Sequence, residues 1–538
     1  MMQMKIKSLV LGLSVCTTLP VLADTVSDAH NQNVATDSTG IPFGVAANTS
    51  GTSTTPASAF TDKKSELYVP VQFDGKPMTL QTNGGRLQVS SRMANAPVPV
   101  PEKAQPEPQP ANDLIARGKY LTEASDCSVC HTASGGKPYA GGLSFKTPFG
   151  TMYSSNITPD AQYGIGSWSE KEFINAVKHG KRNDGANLYP SMPYTSYVKL
   201  TDDDTKAIFA YLKTLPAVHQ APPENLMGFP YNQRWSLAFW NLANFKDQPF
   251  AKDTKQNDQW NRGAYVATAL GHCEECHTPR NITMGLSSNS YAGASVDGWL
   301  AFNISPDNKA GIGSWSNQDI VKYLQTGSLP GKATAAGPMA EVISHSTRFM
   351  SQDDLEALAV YLKSQPARNS GETIDRFTRG ATKDNVADLN RGVNPGAEAT
   401  GAELFNGNCA ACHGTSGTGI GKSLYYPSLV NNSAVGSADP GNLVQVIING
   451  VQRKNAAGDD IVMPGFGSEL NDKEIATLAT YVTHNYGDGH AAATAEQVSK
   501  LRTNEVTVIP GWVLILAGVV GALVVLAIII FLLKRRKK

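Results

Sequence analysis

What this 538-residue chain lacks narrows its chemistry first. It has no net charge, with 46 Lys and Arg against 46 Asp and Glu, so no basic excess draws it to nucleic acid. Between its two ends no apolar run is long enough to cross a bilayer, so the body is expected to lie on one side of a membrane. It also has no cysteine to spare for a structural disulfide. Of seven, Cys16 lies in the N-terminal leader, and the other six fall into three pairs, each two residues apart. The length exceeds one domain, and three or four units are expected.

The two ends read as export and anchoring signals. Lys5 and Lys7 precede an apolar stretch from Leu9 to Leu19, and Val21-Leu22-Ala23 places small residues where a signal peptidase reads. Cys16 would leave with this leader; lipidation is the other reading, and Val15 is a poor residue to precede a lipidated cysteine. At the other end Trp512 to Leu533 is apolar apart from glycine and is followed by Lys534-Arg535-Arg536-Lys537-Lys538. As a helix it would span a bilayer, and the basic tail would stay cytoplasmic. The body is thus expected in the periplasm, held at the inner membrane.

The six remaining cysteines read Cys127-Ser-Val-Cys130-His131, Cys273-Glu-Glu-Cys276-His277 and Cys409-Ala-Ala-Cys412-His413. This is the pattern of c-type haem attachment: two thiols add to the porphyrin vinyl groups and the adjacent imidazole ligates the iron. A closed zinc site needs four ligands, and each cluster offers three with no second pair nearby. A thioredoxin-like pair needs no histidine. Three covalently bound haems c are therefore expected.

An internal repeat locates candidate sixth ligands. Arg117-Gly118-Lys119-Tyr120 and Arg262-Gly263-Ala264-Tyr265 precede the first two motifs. Asn156-Ile-Thr-Pro-Asp160 and Asn303-Ile-Ser-Pro-Asp307 follow them, then Gly-Ile-Gly-Ser-Trp ending at Trp168 and Trp315, then a closing helix with Tyr211-Leu212-Lys213 or Tyr361-Leu362-Lys363. The third unit keeps only its motif and a closing helix with Tyr481-Val482. Met192 and Met339 each lie 36 residues after the repeat asparagine, and Met463 precedes Tyr481 by 18 residues, close to the 19 between Met192 and Tyr211. A methionine opposite histidine fills the iron and raises its potential, so Met192, Met339 and Met463 are the expected distal ligands. Met350 stands where the other units have Leu200 and Leu470 and reads as core. His179 and His345 read as surface residues, and His272 sits too close to the attachment turn to serve as a distal ligand.

On the order and spacing of these motifs, with Leu188-Tyr-Pro-Ser-Met-Pro-Tyr194 and Gly337-Pro-Met-Ala-Glu341, residues 113 to 486 resemble the three-haem cytochrome c subunit of membrane-bound bacterial dehydrogenases. That family serves alcohol, gluconate, sorbitol and fructose dehydrogenases. The resemblance implies a separate catalytic subunit with a flavin, a quinone cofactor such as PQQ, or molybdenum, and electron relay to ubiquinone. Other readings of the same motifs are a subunit of a terminal oxidase complex, or a peroxidase-like haem enzyme with one open iron.

The expected fold is all-α, with three tandem class I-like cytochrome c domains at 111–218, 258–366 and 397–486. Around them are expected a signal peptide (1–23), a Pro-rich low-complexity extension with a hairpin within it (24–110), a linker with a packing helix (219–257), a second linker (367–396), a stalk (487–511), a transmembrane helix (512–533) and a basic tail (534–538). No residue is expected to be catalytic.

Overall fold

The computed structural model describes residues 71–73, 76–78, 80–83, 86–89, 113–369, 371–381, 398–420, 425–504 and 523. The expected signal peptide, the basic tail and, Leu523 apart, the expected membrane span lie outside the described residues. Among the described residues no helix is long and apolar enough to cross a membrane.

The chain divides into two compact units, Met1–Gln88 and Val89–Lys538. Within the expected extension, strands Val71–Phe73 and Lys76–Met78 pair antiparallel, and Leu80–Asn83 pairs with Arg86–Val89.

In the larger unit each CxxCH motif is flanked by a leading helix before it and a closing helix well after it. The leading helices are Leu114–Ala124, Asp258–Tyr265 and Gly401–Asn408; the closing helices are Asp202–Leu212, Gln352–Ser364 and Asp472–Tyr486. Their starts are capped by the side chains of Asp113, Asn257, Thr400, Thr201, Ser351 and Asn471, each accepting from a free amide of the first turn. Leading and closing helices pack against each other in all three segments. In the first two the contact is made at a glycine: a Cβ on Gly118 would overlap the Ala207 carbonyl, and one on Gly263 the Ala357 carbonyl. The repeated Arg-Gly pair is thus a crossing point where two backbones meet.

The repeat segments between motif and closing helix are braces. Asn156 donates to the Val218 and Gln220 carbonyls and accepts from Thr158; Asn303 donates to the Arg368 carbonyl and accepts from Ser305. Lys213 and Lys363 reach from the closing helices to carbonyls of the Gly-Ile-Gly turns at 165–166 and 312–313.

The first two segments share one core, which runs from Leu121 and Phe173 through Leu212 and Tyr265 to Leu355, Tyr361 and Phe377. The third has its own, with Phe405, Ile447, Leu478 and Tyr486. Met350 is buried in the shared core as expected. Burying one large surface in common favours joined folding of the first two segments over independent beads on a string.

Several expectations are corrected. The body is not purely helical: small sheets recur, such as Ser144–Thr147, Gly150–Tyr153 and Leu226–Met227 in one, and Val451–Lys454 with Asp460–Met463 in another. Within the expected linker, residues 371–381 are tied down, with Phe377 buried and the Arg376 guanidinium donating to the Ala310 and Asn303 carbonyls. Within the expected stalk, Ala495–Thr503 is a helix packed on the third segment through buried Val498. The expected packing helix, Leu237–Asn244, meets the body on one face only, through Trp240, Asn241 and Asn244, and leaves Phe239 and Leu242 exposed.

Candidate haem sites

The three motif histidines are held in one way. Nδ1 of His131 donates to the Ser155 carbonyl at 2.7 Å, that of His277 to the Phe302 carbonyl at 2.7 Å, and that of His413 to the Pro427 carbonyl at 2.8 Å. A carbonyl only accepts, so the proton is fixed on Nδ1 and the Nε2 lone pair is left for a metal, the usual arrangement behind a ligating imidazole. Burial lowers the pKa of all three below the usual histidine range, which keeps the neutral, ligating form.

Five of the six cysteines beside them are not poised as free nucleophiles. Their side chains keep some solvent contact, yet protein surrounds the sulfurs closely enough that burial pushes Cys127, Cys130, Cys273 and Cys409 up to about 12 and Cys276 to about 11. A thiol-redox pair needs the opposite shift. No sulfur is paired in a disulfide among the described residues.

The motif turns are presented differently. Cys127 stands nine positions after Gly118, and Cys273 stands ten after Gly263. The extra residue is absorbed where the second leading helix widens into a π-turn, Val266–Leu270. In both segments the residue just before the first cysteine, Asp126 or His272, has positive φ, 58° and 33°, and turns the chain sharply into the motif. His272 is half-buried and packs edge-on against Tyr197 at 5.3 Å.

The methionines sit in three backbone settings, all half-buried. Met192 lies in the turn before Tyr194–Tyr197, Met339 in the first turn of helix Gly337–His345, and Met463 ends a strand paired with Val451. Met192 and Met339 both flank the shared core. His345 is half-exposed beside Glu341, and His179 is half-buried near Asp247.

The two sister segments are clasped reciprocally, which the sequence pattern did not reveal. Arg117 pairs with Asp204 of its own segment and Arg262 with Asp354 of its own, the latter through two bonds of 2.6 Å. The tyrosines of the same repeat cross over: Tyr120 donates to Asp354 and Tyr265 to Asp204, both at 2.5 Å. Both carboxylates are buried. The crossing continues at the motifs. The first CxxCH turn packs against the helix that carries Met339, and Tyr194–Tyr197, just after Met192, packs against the π-turn before the second motif. Ser196 and Thr195 donate to Glu275, inside the second motif, at 2.9 and 3.1 Å, and Tyr197 donates to the Ser125 carbonyl at 2.6 Å.

Haem chemistry fits the residues around the second site on a further count. Trp315 Nε1, Arg376 Nε and Arg453 Nη2 are buried donors without an acceptor among the described residues. Trp315 stacks near Tyr323 and Phe377, and Arg376 lies over Phe377 and Phe302. Burial lowers both arginines to about 10. Unmet buried donors are costly, and two of these three belong to cations, so an acidic group is the natural acceptor; haem carries two propionates.

Comparison with known proteins decides the family. Residues 115–216 match the model "Cytochrome c", and 396–482 match "Cytochrome C oxidase, cbb3-type, subunit III". The chain is 41% identical to a fructose dehydrogenase cytochrome subunit of Gluconobacter japonicus, over 81% of this chain and 95% of that one. It is 38% identical to a gluconate 2-dehydrogenase cytochrome c subunit of Pantoea cypripedii, over 73% and 91%, and 37% identical to the cytochrome c subunit of a quinone alcohol dehydrogenase of Gluconobacter oxydans, over 74% and 84%. The chain belongs to the family of dehydrogenase cytochrome c subunits. It is an electron-transfer cytochrome with covalently bound haem c, working beside a catalytic dehydrogenase subunit.

Proposed function

We propose that the chain is a membrane-anchored periplasmic cytochrome with three haems c, arranged as three cytochrome c domains, that relays electrons from a catalytic dehydrogenase subunit to ubiquinone. The observation that carries the count of three is the thrice-repeated Nδ1 anchoring of His131, His277 and His413, each beside its own pair of cysteines. Cys127, Cys130, Cys273, Cys276, Cys409 and Cys412 would hold the three groups by thioether bonds, and Met192, Met339 and Met463 would complete the irons. Haem held by these residues would supply reversible one-electron transfer. The protein's part is to fix the imidazoles, exclude water with the shared core, and place the first two motifs against each other's methionine segments. The anchoring reading rests on the apolar run 512–533 and its basic tail.

A subunit of a terminal oxidase complex is the second reading, favoured by the match over residues 396–482. Anaerobic addition of substrate to the complex purified from its own membranes tests both. Reduction of the haems followed by reoxidation on adding a short-chain ubiquinone supports the relay; haems that stay oxidised, or that ubiquinone leaves reduced, defeat it. Strong carbon monoxide binding by the native reduced chain would defeat the fully ligated irons.

A further inference from the structure

The helix Leu237–Asn244 and the turn before it are inside out. Trp240, Asn241 and Asn244 face the protein: Trp240 donates to the Thr283 carbonyl at 2.9 Å, Tyr194 donates to Asn241 at 2.7 Å, and Thr283 donates to Asn244 at 2.8 Å. The opposite face carries Trp235, Phe239 and Leu242, spaced i, i+4, i+7, and these are 66%, 69% and 86% exposed. Leu226 and Phe229, just upstream, are exposed as well. A surface helix in water normally turns its apolar stripe inward. Here the polar side is hydrogen-bonded to the body and the aromatic side is offered outward, which marks a contact with something apolar.

The position of the stripe names the occupant. Leu226 pairs with Thr151 and Thr151 with Lys146, in adjacent strands, so Leu226 lies two strand spacings, about 10 Å, from Lys146. The Lys146 ammonium donates to the carbonyl of Thr503 at 3.2 Å. One residue on, at Asn504, the continuously described chain ends, and Trp512 opens the apolar run only eight residues later. Fully extended, those residues reach about 29 Å at most. An anchor at 512–533 therefore holds this edge of the body close to the bilayer, with exposed Leu226, at the upstream end of the apolar segment, beside the point of departure.

We propose that Trp235, Phe239 and Leu242, with Leu226 and Phe229, form an interfacial contact that lies in the headgroup region of the membrane and fixes the orientation of the body above it. Aromatic and aliphatic side chains on one face of a helix suit that layer. The inference rests on the anchoring reading, so the test separates the two.

The haem-loaded full chain, with its motif cysteines consumed in thioethers, is spin-labelled at Phe239→Cys or Leu242→Cys, with Lys119→Cys as the exposed control, and reconstituted in vesicles of phosphatidylethanolamine and phosphatidylglycerol. Collision with oxygen, which concentrates in lipid, and with a water-soluble nickel chelate is read by power saturation. The proposal expects labels 239 and 242 to lose access to nickel several-fold and gain access to oxygen, with no change at 119. Labels that stay as open to nickel as the control overturn it and leave the stripe to the catalytic subunit or a second copy. An alkaline carbonate wash of the same vesicles reads the anchor alone: chain released by the wash defeats the anchoring reading, whatever the labels report.

Discussion

The first two CxxCH segments share a frame down to single hydrogen bonds and differ in the turn that presents the motif. Both cross their leading and closing helices at a glycine, both brace the loop with an asparagine, and both tie the Gly-Ile-Gly turn to a lysine. The second has one more residue before its motif, taken up as a π-turn, and it carries Glu275 where the first has Val129. Only on that side do Thr195 and Ser196 find a carboxylate. The repeat fixes the frame of each site, while the asymmetry lies where the segments meet. Two sites with one architecture are thereby given different surroundings, which is what a relay needs for unequal potentials.

The glycine crossings make the strongest test of the common frame. Gly118→Val and Gly263→Val should each destabilise by about 3 kcal/mol or more, because the added atoms meet backbone carbonyls that cannot move aside. Gly401→Val, facing the Tyr481 side chain, should cost less. Denaturant titration of the three variants checks the ranking, and a tolerated Gly263→Val would break the equivalence.

Replacing the candidate axial ligands comes next. Met192→Ala, Met339→Ala and Met463→Ala should each open one haem to carbon monoxide and lower one potential on the order of 100 mV, a modest part of the roughly 0.8 V that axial ligation spans. Met350→Leu should change neither reading, since that side chain is packed in the core. If Met350→Leu moved a potential and Met339→Ala did not, the assignment in the second segment would be reversed.

The reciprocal clasp predicts the smallest effect and the sharpest one. Tyr120→Phe and Tyr265→Phe each remove one hydrogen bond to a buried carboxylate and should cost about 1.5 kcal/mol apiece. Because both close the same interface, thermal unfolding of the double variant should depart from the sum. Burial beside Asp354 holds Tyr120 near 12, so the clasp should persist across neutral pH and loosen only in strong alkali. Strict additivity would argue that the segments do not act as one body.

Much of this was legible in the sequence because repetition exposes what each segment does for itself. The histidines, the helix pairs and the bracing asparagines all recur at fixed offsets. The crossed partners were not legible: Asp204 and Asp354 show in sequence only as acids at a helix start, and nothing local says that a tyrosine from the sister segment will reach them. The sheets escaped because strands of two to four residues are too short to display alternation. A packing helix within 219–257 was legible, but periodicity gives the width of an apolar stripe and not the side on which it faces. Trp315, Arg376 and Arg453, whose buried donors find no acceptor among the described residues, come from distant parts of the chain and converge only in the fold.

Whether one chain holds three haems is read most directly as covalent haem per polypeptide. The purified protein is extracted with acidified acetone to strip loose haem, and the residue is assayed as the alkaline pyridine complex against total amino acid. Three haems per chain are expected, falling to two in the double variant Cys273→Ala, Cys276→Ala, which leaves the second motif no thiol for a thioether. Two or fewer in the unaltered, fully matured protein would contradict it.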